Sequence, residues 1–411
     1  MAVLRSRVLA CGAAMACVLA SPVGGAAESA PSPAAPRSAT VPFVLDHNRM
    51  IVDVELTKPD GSTRRARAWV DTGNEVLVLA EPLARELGLD LSRLDVSHPG
   101  YSTATRSPAP PLRLGRMSLA VDGVAVRIFS GTHLLAGVGV EVQLPASALM
   151  RDHLVLDYPL RRMTLARPGV LKPRGVALPC RVNPGTGLFM IAATLDGKVV
   201  WLGVDSGSAG TWVSDTLTRA WQTLHPDWPH AVGAAGSANF FGFPFESQGT
   251  LMCLPALGVG ALRARDVAVL GVGQEMFDWY SKKSAGPVLG FIGANVLRGF
   301  RVEIDFPNRM TWWEAGPAAA GRDLDIVGLT LSPEPGGGVT VAGVVAKNGK
   351  PVVDGAQPGD RLVSVDGREL ATARMGDVVD ALRGEPGATR TLVLEREGKR
   401  LTIPTCVTGL P

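Results

Sequence analysis

The chain has 411 residues, a formal net charge of +3 and 46% hydrophobic residues. A charge this close to neutral, without a basic stripe that carries interleaved aromatic residues, argues against nucleic-acid binding. The six histidines show none of the spacings that hold metal ions in known motifs, so we expect no metal and no other cofactor.

The N-terminus has the composition of a secretory signal. Arg5 and Arg7 precede an uncharged apolar run over 8–20, which is too short to span a bilayer, and small residues at 25–27 suit cleavage. We therefore expect residues 1–27 to be a signal peptide and the mature chain to be periplasmic or secreted. A membrane anchor is the alternative for this run. Residues 28–40, rich in Pro, Ala and Ser, are expected to be a flexible leader.

A second region, 228–262, holds two long uncharged stretches, but its prolines and glycines argue against a stable membrane span. Export also makes disulfides possible. Three cysteines remain after the signal, namely Cys180, Cys253 and Cys406, and an odd count leaves at least one thiol unpaired within the chain. Cys180 with Cys253 is the natural pair, although the sequence cannot establish that the two are close.

Two short motifs of the same form organise the chain. Asp205-Ser206-Gly207-Ser208 follows an apolar run, and Asp71-Thr72-Gly73-Asn74 follows another. Each motif predicts a strand that delivers a carboxylate to a tight turn, where glycine lets the backbone turn back sharply. One such motif is ordinary turn chemistry. Two copies with matching flanks predict a pair of carboxylates that act together.

The two motifs lie in two copies of a longer pattern. A strand, a turn and a second strand are predicted before each Asp motif, and the segments 144–159 and 292–307 have corresponding sequences. Both segments then reach Arg-Met-Thr, at 162–164 and 309–311. This internal repeat predicts two copies of one β-rich unit, at 41–170 and 171–318.

Together these features resemble the aspartic proteases of the pepsin and retropepsin kind. The resemblance implies a mainly β, bilobal fold with the active site between the lobes. It also implies an endopeptidase, acting on proteins or peptides, in which Asp71 and Asp205 share one proton and activate a water. Because both loops are present in one chain, we expect an active monomer.

The resemblance also assigns roles to the residues around the two carboxylates. Thr72 and Ser206 would brace the two loops against each other, while Ser208 and Asn74 would lie beside the outer carboxylate oxygens. Asn74 departs from the Ser, Thr or Ala usual there, and its amide would either donate to Asp71 or crowd the site. Pro145 stands where the second copy has Gly293. A non-catalytic peptide-binding scaffold with a degenerate first lobe therefore stays open as an alternative.

Residues 319–411 differ in character from the repeat. The stretch D-G-A-Q-P-G-D-R-L-V-S-V-D-G at 354–367, followed by a predicted helix over 376–382, resembles a bacterial PDZ domain. The resemblance implies that a partner's extended tail adds as a strand, with its C-terminal carboxylate held by Gly328, Leu329, Thr330 and Leu331. We expect this domain to recruit substrate, with autoinhibition as an alternative. A β-rich module that only packs on the lobes is a further alternative.

Overall fold

The first lobe consists of short β-strands joined by tight turns, with two small helices. The computed structural model describes residues 36–91, 95–98, 101–105, 108–130, 133–317 and 323–411. The elements of this lobe, in chain order, are β1 (Ser38–Pro42), β2 (Val44–Asp46), β3 (Arg49–Thr57), β4 (Thr63–Asp71), β5 (Leu77–Ala80), α1 (Glu81–Glu86), β6 (Asp95–His98), β7 (Tyr101–Thr105), β8 (Leu112–Leu114), β9 (Met117–Ser118), β10 (Val126–Ser130), α2 (His133–Val138), β11 (Val142–Pro145), a 3-10 turn (Ala146–Ala148), β12 (His153–Asp157) and β13 (Arg162–Ala166).

The hairpin of β3 and β4 shows how the sequence produces this lobe. Alternate residues of β3, from Met50 to Leu56, are apolar and buried, as expected for a strand with one face on a core. Asp60 and Gly61 form the turn, and Gly61 adopts a φ of 81°, a conformation that favours glycine. The return strand β4 ends at Asp71, so this carboxylate lies at the C-terminal end of a strand that has neighbours on both sides.

The second lobe repeats the plan with longer strands. Its elements are β14 (Val176–Val182), β15 (Phe189–Leu195), β16 (Lys198–Val204), β17 (Thr211–Ser214), α3 (Asp215–Leu224), β18 (His230–Val232), a 3-10 turn (Gly236–Ala238), α4 (Pro244–Gln248), β19 (Thr250–Val259), β20 (Leu262–Val272), α5 (Gln274–Ser281), β21 (Gly290–Ile292), α6 (Ala294–Leu297), β22 (Phe300–Asp305) and β23 (Met310–Ala315). Strand β16 delivers the chain to Asp205, as β4 does to Asp71.

The C-terminal region is a smaller β-sheet module with one described helix. Its elements are β24 (Asp325–Ile326), β25 (Leu329–Pro333), β26 (Val339–Val344), β27 (Ala346–Lys347), β28 (Lys350–Pro351), β29 (Arg361–Val365), β30 (Arg368–Glu369), α7 (Met375–Leu382), β31 (Thr389–Arg396), β32 (Lys399–Cys406) and β33 (Thr408–Gly409). The described chain is therefore mainly β, as the sequence predicts.

The repeated lobe endings meet in one sheet that joins the two lobes. Around the junction the strands follow the order β1-β13-β12-β22-β23-β14. Strand β12 of the first copy pairs antiparallel with β22 of the second. Strand β1 includes Ser38, Ala39 and Thr40, which pair with 164–166. These three residues belong to the sheet and not to the flexible leader that the composition predicts. The predicted signal peptide, and residues 28–35 of the predicted leader, lie outside the described residues.

The C-terminal module shares an apolar core and a sheet with the second lobe. Leu331, Val341 and Leu362 of the module belong to the same buried cluster as Trp212 and Phe277 of the lobe. In addition, β27 pairs with β18, so the module extends the second lobe's sheet. Residues 36–411 accordingly form one compact unit.

The predicted cysteine pair is wrong. Cys180, Cys253 and Cys406 form no disulfide, and Cys180 lies opposite Ile191 in its sheet while Cys253 lies opposite Ala268. The two cysteines thus face different neighbouring strands. Burial raises the pKa of the Cys180 thiol to about 12, which makes it unreactive. In the described ranges, no helix has the length and hydropathy needed to cross a bilayer.

Because the core is shared, the lobes should not fold normally without the C-terminal module. A chain that ends at residue 317 exposes the apolar face that Trp212 and Phe277 share with the module. We expect it to bind a hydrophobic dye and to lose its sharp thermal transition, measured by circular dichroism. The full chain is the control. A truncated chain that melts cooperatively at the control temperature would contradict the shared core.

Candidate active site

The two Asp loops occupy equivalent positions in the two lobes. Strand β4 pairs in parallel with β11, and β16 pairs in parallel with β21. The Asp205 N–H donates to the Ile292 carbonyl at 3.0 Å. In each lobe, the strand that leads to the Asp is therefore paired with a strand from the end of the same lobe. The internal repeat of the sequence is thus a repeat of structure around the carboxylates.

The two carboxyl groups are neighbours across the lobe boundary. They form a hydrogen bond with each other. A Cβ on Gly73 would lie 2.4 Å from Cγ of Asp205, and a Cβ on Gly207 would lie 2.2 Å from Cγ of Asp71. Such separations are sterically forbidden, so only glycine at these two positions allows the carboxyl groups to approach.

Thr72 and Ser206 form a reciprocal brace between the loops. Oγ1 of Thr72 donates to the Val204 carbonyl at 2.8 Å, and Oγ of Ser206 donates to the Val70 carbonyl at 2.9 Å. Each hydroxyl also accepts the backbone N–H of the other residue, at 3.0 Å for Ser206 N–H and 3.2 Å for Thr72 N–H. Both side chains are buried, so these four bonds fix the distance between the two Asp loops.

The hydrogen bonds to the two carboxyl groups differ. Asp205 Oδ1 accepts the N–H groups of Gly207 at 2.8 Å and Ser208 at 3.1 Å. Asp71 Oδ1 accepts the Gly73 N–H at 2.9 Å, and its Oδ2 accepts the side-chain amide of Gln143. The backbone N–H of Gly73 also favours the ionised form of Asp205. Asp205 is therefore the better stabilised anion of the pair.

The pKa values of the two groups separate accordingly. Burial, then the charge of Asp205, raises the pKa of Asp71 well above its usual value. Burial also raises the pKa of Asp205, but hydrogen bonds from Asp71, Gly207 and Ser208 oppose this rise. Asp71 is therefore the more easily protonated group of the pair, and Asp205 the more easily ionised one.

Two predicted neighbours lie differently from the expectation. The Asn74 amide donates to the Val76 carbonyl at 2.6 Å instead of to Asp71, because the side chain closes its own turn. The Ser208 hydroxyl donates to the Gly210 carbonyl at 2.6 Å, so Ser208 contacts Asp205 only through its backbone N–H. Asn74 therefore neither supports Asp71 nor crowds it.

Pro145 is accommodated at the end of β11. The Ala146 N–H donates to the Asn74 carbonyl at 2.9 Å, just as the Ala294 N–H donates to the Ser208 carbonyl at 2.8 Å. This bond of the first lobe is therefore like that of the second. The lobes differ at the proline itself, because the Gly293 N–H donates to Thr211 Oγ1 at 3.1 Å and Pro145 has no N–H to form such a bond.

Two residues near the carboxylates were missed by sequence reasoning. Gln143 takes the place that Asn74 was expected to fill, and it is a polar residue where the second copy has Phe291. Arg49 is fully buried, donates to the Phe240 carbonyl at 2.6 Å and lies over the Phe241 ring at 4.4 Å. Burial lowers its pKa to about 10. A signal existed for Gln143, which is a polar residue in the otherwise apolar strand β11. Arg49 gives no such signal, because its strand β3 also contains Asp53 and Glu55.

An aromatic cavity opens on the second-lobe side of the site. Its volume is about 570 Å³, and most of its lining is apolar. The lining residues are Trp212, Phe240, Phe243, Phe245, Gly273, Glu275, Met276, Trp279 and Tyr280. The buried Tyr280 hydroxyl is close enough to the pair for the charges of Asp205 and Asp71 to raise its pKa after burial has done so. The cavity is therefore suited to large apolar side chains.

The predicted carboxylate-binding residues of the C-terminal module are not open. Leu329, Thr330 and Leu331 are at most 1% exposed. A Cβ on Gly328 would lie 2.3 Å from Cγ2 of Val352, so this backbone is packed closely against its own module. In this conformation the second lobe and the module itself cover these residues, and their role in holding a peptide carboxylate stays a prediction.

Comparison with known proteins identifies the C-terminal module. Residues 353–396 match the family model of the PDZ domain. This region is a PDZ domain. A protein of Mesorhizobium japonicum whose name describes a zinc metalloprotease is 49% identical over 49 residues, which is 12% of this chain and 13% of that protein. The chain thus spans about an eighth of this relative. Among the described residues, no group of three or more His, Cys, Asp or Glu side chains could hold a metal ion.

A search of solved structures returned an aspartic proteinase from Irpex lacteus. The match has 11% identity and a TM-score of 0.39, and covers 68% of this chain and 98% of that one. A likeness at this score supports no conclusion about this chain.

Removing the brace should destabilise the protein. Thr72→Val deletes two buried hydrogen bonds and leaves the Ser206 N–H and the Val204 carbonyl unsatisfied, which should cost about 2–4 kcal/mol in the free energy of unfolding. Urea denaturation measures this cost. Thr40→Val is the matched control, since the Thr40 hydroxyl bonds Thr164 at an exposed position. Equal effects of the two substitutions would argue against the brace.

The raised pKa of Asp71 predicts a pH-dependent stability difference for Asp71→Asn. An unfolded Asp ionises near pH 3.9, whereas folded Asp71 holds its proton to higher pH. The stability from this proton is fully present below about pH 4 and is lost as the pH rises through the folded pKa. The variant escapes this loss, so it should be more stable than the parent by about 1–3 kcal/mol at pH 7.

The gap should close towards pH 4, measured by urea denaturation at both pH values. Asp122→Asn, at an exposed position, controls for the change in net charge. A gap of the same size at both pH values would show that it does not come from the Asp71 proton.

Proposed function

We propose that this protein is an aspartic endopeptidase that hydrolyses peptide bonds with a water activated by Asp71 and Asp205. The observation that carries the proposal is the pair of buried, mutually hydrogen-bonded carboxyl groups, which glycines at 73 and 207 alone allow to meet. Like charges this close cannot both ionise easily, so one acid and one base coexist near neutral pH.

The hydrogen bonds assign the two roles. Asp205, the better stabilised anion, takes a proton from the water as the water oxygen attacks the scissile carbonyl carbon. Asp71 donates its proton to the carbonyl oxygen, which gives a neutral tetrahedral diol. Asp205 then gives the proton that it took from the water to the amide nitrogen, while Asp71 takes a proton back from one diol hydroxyl. The C–N bond breaks, an amine and a carboxylic acid leave, and the pair returns to its starting state. Gln143 positions Asp71 through its amide.

The surroundings indicate the class of substrate. The aromatic cavity beside Trp212 and Tyr280 suits a large apolar side chain next to the scissile bond. We propose that the enzyme acts on exported proteins or peptides and that one chain forms one complete site, since both Asp loops come from this chain. The PDZ domain would bind a peptide ligand of its own.

Replacing either carboxylate should abolish hydrolysis. Asp71→Asn removes the acid and Asp205→Asn removes the base. Because the two groups act as a unit, the double variant should have the same residual activity as either single variant. A quenched fluorescent peptide library, with and without a pepstatin-type inhibitor, measures the activity. Far-ultraviolet circular dichroism serves as the control for folding. Hydrolysis retained in either folded single variant would refute the assignment and favour a non-catalytic peptide-binding scaffold.

A further inference from the structure

The outer edge of strand β25 is the place where an extended peptide would join the PDZ sheet. In the order β25-β26-β29-β31-β32 it is a terminal strand, and PDZ domains bind peptides by adding them to an exposed sheet edge. In this chain the edge is already covered. Thr330 and Leu331 are 0% and 1% exposed.

The side chain of Asn239, from the second lobe, occupies the centre of this edge. Its Oδ1 accepts the Leu331 N–H at 2.8 Å, and its Nδ2 donates to the Leu331 carbonyl at 3.1 Å. These are the two bonds that the C=O and N–H of a paired peptide strand would form. The amide of Asn239 thus imitates one peptide unit of a ligand.

Other groups fill the edge on both sides of Asn239. The Thr330 hydroxyl donates to the Ala234 carbonyl at 2.6 Å and accepts the Ala234 N–H at 3.3 Å. At the far end, Gly137 of α2 approaches Pro333 so closely that a Cβ would lie 2.4 Å from the proline ring. Both lobes therefore contribute to the cover of the PDZ edge.

The segment 239–243, which we call the strap, is held together by one buried carboxylate. Glu246 is 0% exposed and accepts the N–H groups of Phe240 at 2.6 Å, and of Phe241 and Phe243 at 2.9 Å each. It also accepts from Asn239 Nδ2 at 2.8 Å. Movement of Asn239 therefore breaks a hydrogen bond to Glu246, the same carboxylate that holds the strap backbone.

The strap crosses from the second lobe to the first beside the carboxyl pair. The Phe240 ring lies 5.0 Å from the ring of Trp212, which follows the Asp205 loop, and 6.0 Å from that of Trp69, which precedes Asp71 by two residues. Phe241 is buried in a cluster that otherwise consists of first-lobe residues, including Trp69 and Leu135. The strap thus bridges the two lobes and lines the aromatic cavity through Phe240 and Phe243.

We propose that the β25 edge is a binding surface for an extended peptide, and that this peptide displaces Asn239, frees the strap and so admits substrate to the carboxyl pair. The effect on hydrolysis rests on the proposed peptidase function, whereas the displacement does not. The resident contacts are the Asn239 amide, the Thr330 hydroxyl bonds to Ala234 and the packing at Pro333. A peptide of several residues would replace the two Asn239 bonds with a longer row of backbone bonds to the same strand.

The test measures the strap directly by hydrogen exchange. The probe is an acetylated hexapeptide of alternating threonine and valine with a free C-terminal carboxylate, applied to the full chain with Asp205→Asn so that it is not cleaved. We expect the amides in 239–243 to exchange about tenfold faster with the probe, the change that loss of two hydrogen bonds produces. A peptide with proline at every second position cannot pair in this way and is the control ligand.

A variant tests the same step without a ligand. Asn239→Ala should speed strap exchange about tenfold and, in the chain with both carboxylates intact, raise hydrolysis of a short quenched peptide to a similar degree. Ser247→Ala is the matched control, because Ser247 bonds the Ala342 carbonyl at 3.2 Å across the same interface without touching β25. If Asn239→Ala fails to fold, the probe experiment on the parent residue decides alone.

The outcomes separate the two proposals. Unchanged strap exchange with saturating probe, or a probe that binds but leaves the Leu331 amide exchanging faster than in the probe-free chain, overturns the displacement. Faster strap exchange with the probe, in a protein whose chain with both carboxylates intact hydrolyses no peptide, supports the displacement and contradicts the peptidase. Hydrolysis that Asn239→Ala does not alter, in the chain with both carboxylates intact, supports the peptidase and overturns this inference.

Discussion

The whole arrangement depends on bringing two carboxyl groups from different lobes into contact. Gly73 faces Asp205 and Gly207 faces Asp71 at distances that exclude any side chain. Electrostatic repulsion alone would separate the loops, so the approach needs bonds that oppose it. The Thr72 and Ser206 hydroxyls provide these bonds, and the sheet that joins β12 to β22 holds the lobe endings behind them. The approach therefore requires both the glycines, which leave room for the carboxyl groups, and the bonds that hold the loops in place. Each lobe contributes one of the two glycines and one of the two bracing hydroxyls.

Much of this could be predicted because it is encoded locally and twice. An apolar strand that ends in Asp, a hydroxyl residue and Gly is a short-range pattern, and its repetition with matching lobe endings specifies which parts of the chain correspond. The helix α7 begins one residue before the predicted 376–382 and ends at the same residue, since helical periodicity extends over its length. The mainly β fold and the PDZ domain followed from the same kind of pattern.

What could not be predicted depends on competition among distant groups. Asn74 had two possible partners, and its own turn offered Val76 O with no cost of bringing elements together. The hydrogen bond to Asp71 comes instead from the Gln143 amide, which reaches the carboxyl group because β11 lies beside β4. Arg49 is similar, because a buried guanidinium becomes tolerable only when aromatic rings and a carbonyl from the other lobe surround it. No sequence pattern records such long-range partners.

The contacts between the PDZ domain and the lobes are also long-range and could not be predicted from the sequence. The sequence of this domain suggests a separate module that recruits substrate, and a tether of this kind acts by raising local concentration without altering the site it serves. In the structure its core continues into the second lobe, and its edge strand bonds Asn239, whose neighbour Phe240 bridges the lobes. A ligand at that edge would therefore compete with Asn239, whose neighbours Phe240 and Phe243 line the aromatic cavity. Coupling between two sites requires an element that both of them contact, and the segment from Asn239 to Phe243 is such an element.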